Sequence, residues 1–171
     1  MKTFLLILFF PILLVAKIEN FKTIQSDFIQ KVTNDQHKTI VYEGQFYATQ
    51  DKKALWIYEK PVAKKIYFNA NKVVILEPEL EQAIITTLEN TPNIALLLQE
   101  AKEVSPNQYI TKYRETTYTI YTTNLTIERI TYHDKLDNAV EIVFNNQSTN
   151  LFLDDALFNV EIPKGYDIVR E

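Results

Sequence analysis

The chain has 171 residues, a net charge of −4 from 18 basic and 22 acidic side chains, and no cysteine. That composition excludes disulfide frameworks, thiol catalysis and a lipidated cysteine, and it offers no basic stripe for nucleic acid. Two histidines and two glycines leave little material for imidazole chemistry or for a loop that cradles phosphate.

In chain order, MKTFLLILFFPILLVAK places Lys2 before an apolar run from Phe4 to Val15. The run is too short to span a bilayer and has the length of a secretory h-region. Ala16 suits the residue before a cleavage site. Residues 1–16 are therefore expected to be a signal peptide and residues 17–171 a single exported domain, which carries −5 because Lys2 leaves with the leader. Export without disulfides fits a bacterial-type periplasm. Ile18, Phe21 and Ile24 sit three apart, which predicts a short helix over 17–25. From Ser26 the period falls to two, Phe28, Gln30 and Val32 alternating with Asp27, Ile29 and Lys31. NDQHK at 34–38 reads as a turn and TIVYEGQFYAT at 39–49 as a strand, with Gly44 the place where a sheet could bend. ALWIYEKP (54–61), KKIYFN, KVVILEP and QAIITTL read as short strands. ENTPNIALLLQEA predicts a second helix near 91–103. Ile94, Leu97, Leu98 and Ala101 form its apolar stripe, and Leu96 adds more than a surface helix needs. Residues 108–123, 125–133, 139–145 and 148–153 return to the strand pattern.

Nine or so short strands with two or three helices predict a mainly β protein with some α. Its form would be a strongly curved antiparallel sheet, or unclosed β-barrel, with helices on one side. Several strands are bulky on both faces. Leu55 and Ile57 oppose Trp56 and Tyr58, Val73 and Ile75 oppose Val74 and Leu76, and Val140, Ile142 and Phe144 share one face. A sheet covered on one side alternates apolar with polar. Two-sided strands therefore imply either protein on both faces or an apolar cleft on one. The polar clusters suggest no chemistry. His37 and His133 fall in turn-like stretches, and Pro78 interrupts Glu77, Glu79 and Glu81, which read as a solvated turn. Neither a metal site, a cofactor nor an enzyme activity is expected, and an exported hydrolase is the weaker reading.

Five motifs in order resemble the periplasmic outer-membrane lipoprotein carriers (LolA-type). They are Phe28 and Gln30 in SDFIQKV; Gly44, Phe46, Tyr47, Trp56 and Pro61 in EGQFYATQDKKALWIYEKP; Pro78, Glu81, Gln82 and Ala83 in EPELEQA; Asn90-Thr91-Pro92 with its apolar helix; and Phe158, Pro163 and Gly165 in FNVEIPKGYDIV. The resemblance implies an unclosed β-barrel with a helical lid over an apolar cavity. Such a carrier takes acylated lipoproteins from an inner-membrane ABC exporter and passes them to an outer-membrane acceptor. It implies a periplasmic monomer with no nucleic-acid partner, the alternative being a general periplasmic carrier of lipids or fatty acids. The acceptor of the same fold would need a lipidated cysteine, which this chain lacks. The expected cleft and lid residues are Ile94, Leu97, Leu98, Trp56, Tyr58, Phe46, Ile85, Leu88 and Phe144. One departure stands out. The family often carries an arginine beside a proline before the tryptophan strand, implied to tie the lid shut; the aligned residues here are Gln50 and Asp51, with Lys52 and Lys53 nearby.

Overall fold

The computed structural model describes residues 21–69, 71–87, 93–124 and 126–170. The expected signal peptide lies outside them, as do Leu88 and the Asn90-Thr91-Pro92 helix start. The described strands are β1 (Thr23–Thr33), β2 (Thr39–Thr49), β3 (Ala54–Lys60), β4 (Lys64–Asn69), β5 (Lys72–Glu77), β6 (Gln82–Thr87), β7 (Lys102–Ser105), β8 (Gln108–Tyr113), β9 (Thr116–Thr123), β10 (Thr126–His133), β11 (Ala139–Thr149) and β12 (Asp167–Arg170). One helix, α1, spans Ile94–Glu100. The strands form one sheet in the order β12-β6-β5-β4-β3-β2-β1-β11-β10-β9-β8-β7. The two end strands do not pair with each other, so the barrel is unclosed, as the sequence predicts.

Curvature follows from where the rings meet. Trp56 on β3 and Phe144 on β11 are three strand spacings apart in the sheet order, about 14 Å on a flat sheet. Their ring centroids lie 6.1 Å apart, so the sheet wraps around them. Gly44 permits this locally. The register between β2 and β3 shifts at Glu43/Gly44, and a Cβ added to Gly44 would fall 1.9 Å from the Ile57 carbonyl oxygen. No other residue fits so close to a neighbouring backbone.

Four expectations are corrected. The helix over 17–25 gives way to strand from Thr23, because Thr23 and Ile24 pair with Thr49 and Ala48 of β2 while Ile24 also pairs with Thr149 of β11. Two ladders outweigh a three-residue spacing. The second helix ends at Glu100 instead of reaching residue 103, since Lys102 and Glu103 pair with Ile110 and Tyr109 of β8. Residues 108–123 are two strands, folded at Arg114, where φ is 54°. Finally, 148–153 is no separate strand: Ser148 and Thr149 finish β11, and 151–153 begin an irregular segment. One pair of strands is also parallel, β12 running alongside β6.

Two hairpin tips share one device. Asn34 Oδ1 accepts from the backbone N–H of Gln36 (3.1 Å) and Lys38 (2.9 Å). Asp134 Oδ1 accepts from Leu136 (2.8 Å) and Asn138 (2.9 Å) in the same pattern. Each tip places a residue at positive φ, His37 at 59° and Asp137 at 61°. His37 thus lies in a turn, as read from sequence, while His133 is the last residue of β10, paired with Ala139, and the turn follows it. Replacing Asn34 by Ala is expected to cost about 1 kcal/mol, seen as a lower urea midpoint at unchanged slope.

The doubly bulky strands are explained by two apolar clusters on opposite faces of the sheet. Trp56, Tyr58, Phe68 and Val73 belong to the concave cluster, which runs round to Tyr109 on β8. Leu55, Tyr67, Val74 and Leu76 belong to the convex one, where the segment after β11 covers them with Leu153, Leu157, Phe158 and Ile162. The first alternative raised by the sequence holds for these strands: protein lies on both faces, the segment after β11 on the outer one and the cluster that includes the helix on the inner one.

Candidate functional site: a concave apolar face stopped by a helix

The concave face is built around aromatic rings that the pleat of β1, β2, β3 and β11 brings inward. Phe28 is central, its ring 4.8 Å from Trp56 and 5.0 Å from Tyr58, both edge-on. Phe46 meets Trp56 at 4.4 Å and Phe144 at 5.7 Å. Edge-to-face rings at such separations add attraction beyond their buried area. α1 lies beside β8 and shares the same buried cluster. Ile94, Leu97 and Leu98 are all buried in the same cluster, Leu97 at 1% exposure, and Ala101 packs on its edge. The surplus Leu96 is half-buried.

Seven of the nine expected residues thus come together: Phe46, Trp56, Tyr58, Ile94, Leu97, Leu98 and Phe144. Ile85 does not join them. It pairs with Val74, an outer-face residue, and packs in the convex cluster. Phe28 was missed as a cleft residue. Its inward position is legible in hindsight, since it alternates with exposed Asp27 and Ile29 and pairs with Gly44, where the inward side has no side chain.

At the end of the cleft marked by the β2–β3 turn, the helix is held by polar ties from its own side chains. Asn93 precedes α1, is 1% exposed, and its Nδ2 donates to the Lys52 carbonyl at 2.7 Å. Gln99 Nε2 donates to the Gln50 carbonyl at 3.0 Å. The direction is the reverse of that implied by the family arginine: here the helix supplies the donors and the turn supplies backbone acceptors. Lys53 is engaged elsewhere, pairing with Asp155 at 2.8 Å and Asp51 at 3.4 Å.

The opposite end carries a polar collar. Tyr58 Oη donates to Gln30 Oε1 at 2.8 Å, and Lys64 Nζ lies 4.3 Å from the Tyr58 ring centroid and 5.4 Å from that of Tyr42. Burial, reinforced by Tyr132 and Tyr42, pushes the Tyr58 phenol above its ordinary range. Burial does the same to Tyr132, with Tyr118 and Asp134 adding to it. Both phenols therefore stay protonated and neutral. Burial pulls Lys64 below the ordinary lysine value, opposed by Glu77. Among the described residues, no group of metal-ligating side chains forms.

An unclosed barrel with an aromatic inner face, stopped by a short amphipathic helix, defines a class of fold whose concave side is an apolar surface facing a helix. The family model "Outer membrane lipoprotein carrier protein LolA" matches residues 19–123, and the chain belongs to that family. It is 37% identical to the outer-membrane lipoprotein carrier protein of Campylobacter jejuni, over 99% of both chains. To that of Wolinella succinogenes it is 34% identical over the whole of both. In fold it resembles the crystal structure of a LolA superfamily protein from Nitrosomonas europaea, with a TM-score of 0.55 at 10% identity, covering 83% of this chain and 92% of that one.

Proposed function

We propose that this protein is a periplasmic carrier that shields the acyl chains of lipoproteins between an inner-membrane ABC exporter and an outer-membrane acceptor. Residues 1–16 would serve as its cleaved signal peptide. It would work as a monomer, by exchange of apolar contacts and without catalysis. The observation that carries this reading is that Ile94, Leu97 and Leu98 share one continuous buried apolar cluster with the rings of Phe46, Trp56 and Phe144. An acyl chain can take the place of the helix side chains there.

The energetics suit a carrier. Each buried methylene is worth about 0.8 kcal/mol, so one long acyl chain resists water by on the order of 10 kcal/mol. A carrier must still let go. Helix and chain compete for the same rings, so loading costs whatever the helix loses and the net affinity stays below that of a permanently open cleft. The test is release of a labelled lipoprotein from spheroplasts by the purified protein, with soluble complex recovered by pull-down. A stoichiometric complex supports the reading. Recovery of the protein with only a phospholipid or fatty acid bound would replace it by the general lipid carrier.

The two amide ties make a separate prediction. Gln99→Ala removes one bond worth about 1 kcal/mol at an exposed position. It is expected to raise the apparent affinity for an acyl ligand roughly threefold to fivefold, with little change in melting temperature. Trp56, the single tryptophan, reports binding by its fluorescence. Unchanged affinity would show that the tie does not hold the helix.

A further inference from the structure

The collar opposite the helix contains a lysine, half-buried beside aromatic rings, that the carrier reading does not use. Lys64 projects inward from β4, paired across the ladder with Tyr58. Lys31, Lys53 and Lys60 each meet a carboxylate, at Glu141, at Asp51 and Asp155, and at Glu43. Lys64 has no carboxylate within ion-pair distance among the described residues; its ammonium instead faces the rings of Tyr58 and Tyr42. Ring faces attract a cation but offer no oxygen to its N–H groups. The neighbouring groups complete a site. Gln30 Oε1 is occupied by the Tyr58 hydroxyl, which leaves the Gln30 NH₂ as a second donor. From Tyr58 the inner face of β3 continues through Trp56 to Ala54, about 14 Å of strand leading towards the helix.

We propose that this collar is a head-group site. Lys64, with Gln30 beside it, takes the anionic oxygens of a phosphate or carboxylate, while the attached acyl chain lies over Trp56 towards Leu97. The protein would then bind single anionic lipids as well as lipoprotein acyl chains, with the charge at the collar fixing which way the chain enters. The proposal rests on the acyl-binding reading of the concave face and adds a direction and a charge preference to it.

Three amphiphiles with one chain length separate the possibilities: dodecyl phosphate, dodecanoate and dodecanol, each titrated below its micelle concentration with Trp56 fluorescence as the readout. The two anions are expected to bind about tenfold more tightly than dodecanol, with a preference that shrinks as salt rises. Lys64→Met should abolish the preference and Lys64→Arg should keep it. The tighter of the two anions identifies the source, phospholipid-like or fatty-acid-like. Equal binding of all three by the unaltered protein, or a preference that survives Lys64→Met, overturns the head-group site and leaves the carrier reading intact. If none of the three binds, both fail. The comparison of anion with alcohol needs no variant, so it stands even where a substitution unfolds the chain.

Discussion

Leu97→Glu is expected to abolish recovery of soluble lipoprotein complex while leaving the β-sheet signal in far-UV circular dichroism unchanged. Leu97 is 1% exposed among aromatic and aliphatic side chains. An unpaired carboxylate there would cost several kcal/mol, more than the two amide ties at Asn93 and Gln99 can offset at about 1 kcal/mol each. The helix must therefore leave the concave face or keep the glutamate protonated. Either way the displaced helix, which on the carrier reading lies over the guest with Leu97 against it, presents a carboxyl group to the acyl chain, a desolvation loss that easier displacement of the helix does not offset. Leu97→Met, similar in volume and apolar, should retain more than half of the complex. A Leu97→Glu protein that still extracts lipoprotein at the normal stoichiometry would place the cargo elsewhere.

The second large effect concerns Gly44. Its missing side chain allows the backbone of β3 to approach at the bend, and a methyl group would meet the Ile57 carbonyl oxygen at 1.9 Å and the Phe28 ring at 3.0 Å. The nearest atom is backbone in a paired strand, so no rotamer change relieves the clash. Gly44→Ala is expected to destabilise by about 3 kcal/mol or more, a fall in Tm of roughly 6–12 °C for a chain of this size. Thermal melting followed by circular dichroism checks this. A drop of less than about 2 °C would mean that the sheet can flatten there at little cost.

How much of this was legible in the sequence depended on which force decided each feature. Period-two alternation sorted the bulky side chains of β3 and β5 onto opposite faces, and those of β11 onto one, correctly, because the pleat fixes direction once a strand exists; which face is inner follows only from the curvature of the whole sheet. It failed at Ile24, where three-residue spacing suggested a helix and two ladders decided for a strand. It failed again at Ile85, whose face depends on the register with Val74, and no local pattern states that register. The short helix was found from its surplus of leucines but drawn three residues too long, since β7 owes its existence to pairing with β8. The ties from Asn93 and Gln99 were hidden for a different reason. Side-chain amides beside an apolar stripe look like ordinary solvated positions until their carbonyl partners, more than 40 residues earlier, are placed by the fold.

The segment that wraps the outside of β3, β4 and β5 has a consequence for how the barrel can work. Phe158 is buried against Leu55, Tyr67 and Val74, and the chain then turns at Gly165, where φ is 94°, to run beside β6. These strands are thus braced from behind. On the carrier reading, a guest that took the place of α1 would strip the inner wall of its partners, yet the same strands would keep the outer set of contacts. Load and scaffold are divided between the two faces of a single sheet, as a tent keeps its shape by poles outside the cloth. On that reading, the interior would be vacated and refilled while the outer contacts of Leu55, Tyr67 and Val74 hold the strands in place.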